Sequence, residues 1–182
     1  HDFQRNSNGN YMGFTWVEID GPIPTGEWTS HFQDLGYSAD GVTNEFPWVG
    51  QMLVEVDPNS NEVVWSWNPF DFYTLNDYDE YGGTWQNTII QGWNHYDWLH
   101  SNSFYFDEEN NHIYISHRHL SRIVKIDYET GEIIWMVGPS ADYMYSGNEH
   151  ICSELGISFQ HHVQRLDNGN LLIYDNGNLS QV

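Results

Sequence analysis

Histidine begins three related segments of this sequence, and this spacing is the first sign of chemistry. The segments start at His1, His100 and His161, which are three of the ten histidines among 182 residues. HDFQRNSNGN in the first segment overlays HHVQRLDNGN in the third, and HSNSFYFDEENNHIYIS in the second fits the same frame with a longer turn. Packing alone seldom demands histidine at each equivalent position. Imidazoles that converge could act as nucleophile, as acid and base, or as zinc ligands.

One arginine of this acidic chain suits recognition of an anion. Arg118 is one of only five Lys and Arg residues, against 26 Asp and Glu. A guanidinium fork matches the oxygens of sulfate or phosphate, although a surface ion pair would explain Arg118 equally well. If the run from His117 to His119 continues a strand, the two histidines share one face and Arg118 lies on the other.

The composition excludes several classes of protein. The formal net charge of −21 argues against nucleic-acid binding and against docking on anionic lipid, both of which need clustered cations. Aromatic residues make up 16% of the chain, so it should fold despite its charge. Cys152 is the single cysteine, and no apolar run approaches the roughly 20 residues that span a membrane. No glycine-rich phosphate loop is present, so no nucleotide cofactor is expected.

Short alternating runs and tight turns predict an all-β chain, because helix signals are scarce. Asn8-Gly9, Thr130-Gly131 and Asn168-Gly169 are typical of hairpin turns. The candidate strands are Tyr11–Ile19, Gln51–Val56, Glu62–Trp67, Ser103–Phe106, His112–His117, Ile123–Ile126, Glu132–Val137, Val163–Leu166 and Asn170–Tyr174.

A second internal repeat completes the structural unit. LVEVDPNSNEVVWSW overlays IVKIDYETGEIIWMV, with Trp65 matching Trp135. A His-headed hairpin followed by this Trp-ended hairpin makes a four-stranded antiparallel blade, and radial stacking of such blades makes a β-propeller. A small β-sandwich is the alternative, but the double repeat argues against it.

The expected organisation is a single propeller domain of about two and a half blades. Blade one covers about 1–67 and blade two about 100–138, and a third begins at 161–182. Aromatic and glycine-rich insertions fill 68–99 and 139–160. Because a closed propeller typically has about four to eight blades, the chain is expected to be an internal piece of a longer protein, or its ordered part.

At this point the residues resemble a known family, the PAPS-independent aryl-sulfate sulfotransferases, which are six-bladed propellers exported by bacteria, with homologues in archaea and fungi. The strings that carry the resemblance are DWLHSNSFYF, IYISHRHLSRIVKID and FQHHVQRLDNGNLLIYDNG. The resemblance implies a secreted, periplasmic or cell-surface enzyme. It would move a sulfuryl group from an aryl sulfate to a phenol, by a ping-pong mechanism and without a nucleotide cofactor.

The resemblance also implies individual roles. The implied residues are His161 as the nucleophile that becomes sulfated, His162 as the competing choice, His100 as acid and base, Asn102 as the amide that holds a sulfuryl oxygen, Arg118 as the anion-binding group and His1 as a further channel histidine. Two features depart from the bacterial members of the family: Cys152 lacks the disulfide partner found there, and the extreme acidity fits a saline habitat better.

Two other functions stay open from the sequence. One is a non-catalytic secreted or cell-surface propeller that binds a partner. The other is a metal-dependent hydrolase that uses the histidine cluster, although the H-x-E-x-H and H-E-x-x-H spacings are absent. The aromatic residues Trp93, Tyr96, Trp98 and Phe159 either stack on an aryl substrate or pack between blades.

Overall fold

Strands, most of them paired antiparallel, form most of the regular secondary structure. The computed structural model describes residues 2–79, 83–138, 150–151 and 155–177. Its elements are β1 (Phe3–Arg5), β2 (Tyr11–Pro22), α1 (Thr29–Asp34), β3 (Asn44–Asp57), β4 (Glu62–Trp67), a 3₁₀ helix (Pro69–Asp71), α2 (Gly83–Gln91), β5 (Tyr96–Asp97), β6 (Ser101–Asp107), β7 (His112–His117), β8 (Arg122–Asp127), β9 (Ile133–Val137), β10 (His150–Ile151), β11 (His161–Arg165) and β12 (Leu171–Tyr174).

The strands form three sheets that follow one another along the chain. The first has the order β1-β2-β3-β4, with β5 joined to β3 in parallel. The second runs β6-β7-β8-β9 with β10 added in parallel, and the third is the hairpin β11-β12. The predicted all-β class and its antiparallel sheets are therefore confirmed. The described residues form no closed ring of sheets, so the propeller and its blade boundaries stay predictions.

The two Trp-ended hairpins repeat each other residue by residue. Glu55 pairs with Trp65 across β3 and β4, and Lys125 pairs with Trp135 across β8 and β9. A register shift follows immediately in both hairpins, before Val56 in the first and at the equivalent place in the second. Trp65 and Trp135 therefore occupy the same register position, as the overlay of the two segments predicts.

The Asn-Gly turns also repeat. In Asn8-Gly9-Asn10 and Asn168-Gly169-Asn170, the side chain of the first asparagine accepts a hydrogen bond from the backbone N–H of the last residue, at 2.9 and 3.0 Å. Each glycine has a positive φ, +91° in the first turn and +85° in the second. Only glycine adopts this backbone at low cost, which explains why these two hairpins turn where the sequence predicts.

Neighbouring sheets are joined through their first strands, β1, β6 and β11. The Gln4 amide accepts a hydrogen bond from the N–H of Phe106 at 3.1 Å and donates to its carbonyl oxygen at 3.2 Å. Asp2 accepts from the N–H of Phe104, two residues earlier in β6. Residue numbers rise in the same direction along both strands, so β1 and β6 run side by side and begin at the same end.

Strand β11 lies along β6 in the same orientation. Asn102, near the start of β6, donates to the carbonyl oxygen of Gln160, which directly precedes β11. At the far end Arg165 forms an ion pair with Asp107, with 3.3 Å between Nε and Oδ2. The starts of all three first strands are therefore gathered at one end of the molecule.

The region 68–99 forms part of the aromatic core. Trp85 of α2 stacks on Tyr96 with ring centroids 4.0 Å apart, and Trp48 of β3 meets Tyr96 at 4.8 Å. Trp98 is fully buried beside them. Tyr96 and Trp98 are thus packing residues, and they hold the segment that leads to His100.

Sequence patterns underestimate some elements. The sequence predicts no helix at α1 or α2, because short helices depend on tertiary packing rather than on local propensity. Buried Phe32 and Trp85 supply that packing. The predicted strands in β2 and β3 are also too short, since the two strands pair out to Pro22 and Asn44, with one register shift after Gly21.

Candidate active site

Most of the predicted site residues lie at the end where the first strands begin. His100 directly precedes β6, Asn102 lies within it, and His161 is the first residue of β11. Arg118 follows β7, which pairs antiparallel with β6, so the turn after β7 lies beside the start of β6. The prediction for His1 falls outside the described residues.

A carboxylate positions His100. The Nδ1 atom of His100 lies 2.5 Å from Oδ2 of Asp97. Gln51 donates to the other oxygen of Asp97 at 3.2 Å and accepts from the N–H of Ser101 at 2.7 Å. When Nδ1–H points at a carboxylate, Nε2 is the ring atom that exchanges protons. The arrangement suits His100 to act as an acid and base.

The charge of Asp97 is maintained by its surroundings. Burial alone would raise the pKa of this carboxyl group, but the hydrogen bond with His100 and the electrostatic influence of the His119 and His100 rings outweigh burial and lower it. Asp97 therefore remains a carboxylate and continues to accept the proton on Nδ1 of His100.

His119 is a second, neutral imidazole of the same cluster. Its ring lies 4.8 Å from that of His100, and its Nδ1 donates to the carbonyl oxygen of Asp97 at 2.6 Å. Burial lowers the pKa of His119 to about 4. At neutral pH this ring is uncharged, so it fixes the geometry beside His100 without adding positive charge.

The same cluster could hold a metal ion. Ligand atoms of Asp97, His100 and His119 all lie within 4.8 Å of one another. Two imidazoles and a carboxylate suit zinc or another divalent ion. However, Asp97 already engages Nδ1 of both rings, through its side chain in one case and its carbonyl oxygen in the other. An ion would therefore have to bind through the Nε2 atoms.

The alternation predicted for residues 117–119 is wrong. Strand β7 ends at His117, and Arg118 and His119 lie in a turn closed by a hydrogen bond from the N–H of Ser121 to the carbonyl oxygen of Arg118 at 3.1 Å. The turn breaks the two-residue period of a strand. It sends His117 into the core and brings Arg118 and His119 to the site.

Arg118 is held over an aromatic ring. Its guanidinium carbon lies 4.9 Å from the centroid of Phe159, and the backbone N–H of Arg118 donates to the backbone carbonyl oxygen of His100. Burial lowers the pKa of Arg118, but a guanidinium group stays charged at any physiological pH. The side chain is half-buried and lies within electrostatic range of Asp97 and His161, so it presents a positive charge to the site.

Gln160 fixes the backbone immediately before His161. Its side-chain amide donates to Ser116 Oγ and to the carbonyl oxygens of His117 and Arg122, at 2.9–3.2 Å. Its own carbonyl oxygen accepts from the amide of buried Asn102 at 2.8 Å. An amide nitrogen carries two hydrogens, so Asn102 keeps one N–H that could bind a further oxygen.

The structure distinguishes His161 from His162. His161 pairs with Tyr174, and Val163 pairs with the next residue of β12, so His162 is the extra residue of a bulge. His162 has φ +66°, in the left-handed region. Bulges often occur near active sites, and this one keeps His161 in the strand pairing while leaving His162 outside it.

His161 lies within electrostatic range of the other site residues. His161 is exposed, but slight desolvation lowers its pKa, followed by the charges of the amino group at residue 1, His100 and Arg118, while Asp2 opposes them. A lowered pKa favours the neutral imidazole, which is the nucleophilic form.

Three contributors are absent from the sequence-predicted set. Asp97 had a signal, since it precedes His100 by three residues in the string DWLH. His119 carried a weaker signal as the neighbour of Arg118. Gln51 had none, because a glutamine inside a strand is not distinctive before the pairing of β5 with β3 is known.

These elements define a class of protein: a β-sheet protein in which a carboxylate-paired histidine and an arginine lie at the same end of the sheets as a second histidine. A model of the arylsulfotransferase (ASST) family matches residues 32–182. The chain belongs to the arylsulfotransferase family, and the resemblance drawn from the sequence is confirmed.

Membership carries coarse expectations about function. It suggests sulfotransferase activity, with aryl sulfates and phenols as substrates. No curated protein sequence and no solved structure matches this chain. Across residues 2–79, 83–138, 150–151 and 155–177, no helix is long and apolar enough to cross a membrane.

Proposed function

We propose that this chain moves a sulfuryl group from an aryl sulfate to a phenol through a covalent intermediate on His161. One observation carries the proposal: His161, with its pKa lowered, shares one end of the sheets with the Asp97–His100 pair and with Arg118. Membership of the arylsulfotransferase family supports the same chemistry.

In the first half-reaction, a ring nitrogen of neutral His161 attacks the sulfur of the aryl sulfate. The N–S bond forms while the bond from sulfur to the aryl oxygen breaks, and the oxygen leaves with the electron pair. Protonated His100 donates its Nε2 proton to that oxygen, so a phenol departs. Asp97 stabilises the protonated form of His100 before the transfer.

The second half-reaction reverses these roles. Neutral His100 takes the proton of the acceptor phenol, the phenoxide oxygen attacks sulfur, and the N–S bond breaks with its electron pair returning to His161. The product is a new aryl sulfate, and both histidines return to their starting states. One residue thus serves first as acid and then as base, which suits an imidazole.

Fixed donors stabilise the charge on the transferred group. Sulfuryl transfer should resemble phosphoryl transfer, in which catalysis rests on positioning and electrostatics. Arg118, oriented by Phe159, and the second N–H of Asn102 supply donors for the sulfuryl oxygens. His1 is proposed to add a further donor from the start of the first strand.

We also propose that the three sheets are successive blades of a β-propeller in an exported protein. Support comes from the side-by-side first strands β1, β6 and β11 and from the matching hairpin registers. The blades would cover about 1–67 and 100–138 and begin again at 161. Imaging the full-length protein at atomic resolution tests this proposal, and a ring of six blades is expected.

The covalent step is tested on the full-length protein by mixing it with an aryl sulfate and no acceptor. We expect a burst of phenol stoichiometric with enzyme, and an acid-labile sulfuryl group on the peptide that contains Gln160 to His162. His161→Ala should abolish burst and turnover. His162→Ala, the matched control one residue away, should keep the burst. A burst from His161→Ala with none from His162→Ala would transfer the role to His162.

A metal-dependent hydrolase is the second candidate, because Asp97, His100 and His119 lie at ligand distances from one another. The same burst assay distinguishes the two functions. We expect the burst to survive dialysis against EDTA. Loss of activity that zinc restores, together with steady hydrolysis and no burst, would favour the hydrolase.

A further inference from the structure

A small aromatic cavity opens beside His100, and the mechanism described above assigns no part of the substrate to it. Its volume is about 260 Å³. The lining residues are Trp16, Val49, Gln51, Trp93, His95, Asp97 and His100. Asp97 and His100 form one wall, so any molecule in the cavity lies next to the group that exchanges protons.

The opposite walls are exposed aromatic rings. Trp93 and His95 are stacked, with centroids 5.7 Å apart and planes inclined by 4°. Trp16 also lies beside His95, with ring centroids 5.9 Å apart and planes inclined by 49°. Trp16 is 65% exposed and Trp93 is 38% exposed. Two tryptophans left open to solvent next to one histidine present ring faces that a third planar ring could cover.

The other aromatic residues near the site are already occupied. Tyr96 and Trp98 are fully buried in the core. Phe159 is covered by the guanidinium group of Arg118. Of the four aromatic residues that the sequence singles out, Trp93 therefore has the face that is open to a ligand.

We propose that the cavity formed by Trp16, Trp93 and His95 holds the aryl ring of the substrate, and that it selects rings with neutral or cationic substituents. This inference rests on the proposed function, because it assigns the aryl part of the substrate to the space beside His100. A cavity of about 150 Å³ accommodates benzene, so 260 Å³ suits one substituted ring.

The selection by charge follows from the lining. No Lys or Arg lines the cavity, Asp97 does, and the whole chain carries a formal charge of −21. A carboxylate on the ring would meet this negative field, because the imidazole of His100 already faces the carboxylate of Asp97. An ammonium group would be attracted both by the field and by the tryptophan faces.

Binding without reaction provides the test. Full-length protein is titrated, with no sulfate donor present, with 4-ethylphenol, tyramine, 4-hydroxyphenylacetate and the non-aromatic 4-ethylcyclohexanol, followed by ligand-observed NMR. We expect tyramine to bind about 2- to 5-fold more tightly than 4-ethylphenol. The carboxylate and the cyclohexanol should bind more weakly than 4-ethylphenol.

Variants locate the binding site. Trp93→Ala and Trp16→Ala should each raise the Kd for 4-ethylphenol about 3- to 10-fold, the value of one aromatic contact. Trp93→Phe keeps a ring and should retain most of the affinity. Trp135→Phe, a tryptophan that does not line the cavity, should match the wild type. In the transfer assay, the alanine variants should raise KM for the phenol more than they lower kcat.

The outcomes separate this inference from the proposed function. Unchanged Kd in both alanine variants, or equal binding of tyramine and 4-hydroxyphenylacetate, overturns the inference even if sulfuryl transfer is observed. Binding that follows the expected order and weakens in both variants supports the aryl cavity, even if the burst assay fails and the transfer proposal falls.

Discussion

His117 and His119 are two residues apart in sequence, yet they belong to regions with opposite properties. His117 is fully buried, with Nδ1 2.8 Å from Ser101 Oγ and its ring packed against Trp67 and Tyr73. Nearby, Arg122 forms an ion pair with Asp77 at 3.3 Å, and both side chains have zero exposure. We call this group of residues the sealed cluster.

The open cluster, consisting of Asp97, His100, Arg118 and His119, uses the same residue types. Here the His100 side chain is 35% exposed and the carboxylate of Asp97 contacts an imidazole instead of a guanidinium. A histidine, an arginine and an aspartate stabilise the fold where solvent is excluded. In the proposed mechanism, the same three types carry out proton transfer and anion binding beside a cavity. Access, rather than residue type, separates the two roles.

Exchanging the two aspartates for asparagine should have the largest effect. Asp97→Asn would offer an N–H to Nδ1 of His100 and force the wrong tautomer, so the transfer rate should fall about 10³- to 10⁴-fold with little change in Tm. Asp77→Asn leaves Arg122 buried without its counter-charge and should cost about 3–5 kcal/mol of stability. Rates of sulfuryl transfer and urea unfolding check both. If Asp77→Asn lowers the transfer rate by more than the fraction of protein that it unfolds, the distinction between the sealed and the open cluster is wrong.

The two arginines give the next largest contrast. Arg118→Lys keeps the charge but loses the planar fork, so we expect the rate to fall roughly 10²- to 10³-fold while the unfolding midpoint stays constant. Arg122→Lys should do the reverse, lowering Tm with little effect on the rate of the folded enzyme. Equal effects of both variants on rate would show that the clusters act as one unit.

His117 of the sealed cluster should contribute to the acid sensitivity of folding over a wider pH range than His119 of the open cluster, whose pKa burial lowers only to about 4. Burial lowers the pKa of His117 to about 3, whereas an unfolded histidine has a pKa near 6.5. Between about pH 3 and 6.5 the unfolded state therefore binds more protons than the folded state. The contribution of neutral His117 to the free energy of unfolding is complete above about pH 6.5 and is lost as pH falls towards 3. His117→Gln should reduce the pH slope of the unfolding free energy by about 1.4 kcal/mol per pH unit. An unchanged slope would argue against a neutral buried His117.

The open cluster should show its pH dependence in the rate. In the proposed mechanism His161, beside the open cluster, must be neutral to attack sulfur, so the burst rate should fall as pH drops through its lowered pKa, below about 6.5. Arg118→Gln removes one of the charges that lower this pKa. The acid midpoint should then move up by a few tenths of a pH unit, whatever the loss in absolute rate. A midpoint that moves down would mean that another group controls the acid side of the pH–rate profile.

The sequence predicts the hairpins better than it predicts the site, for physical reasons. Asn8-Gly9 and Asn168-Gly169 specify turns locally, and the alternating runs beside them specify which strands pair. The register of Trp65 and Trp135 follows from that local information. The family strings pointed to His100, Arg118 and His161 before any fold was known.

What the sequence could not supply depends on long-range packing. The contact of Gln51 with Asp97 requires β5 to join β3, which in turn requires α2 and its buried Trp85. The turn that separates His117 from Arg118 contains no glycine or proline, so alternation was the natural expectation. The cavity beside His100 is likewise lined by Trp16 and Trp93, which come from distant segments of the chain.

The bridge between Gln4 and Phe106 also has a consequence for synthesis on the ribosome. The two residues are 102 positions apart. At about 5–20 residues per second, translation supplies Phe106 roughly 5–20 s after Gln4. During that interval the first sheet can assemble, but the side chains of β1 that later bind β6 must wait. Nascent protein is therefore most exposed to chaperones, or to pairing with another copy, until the second sheet has been made.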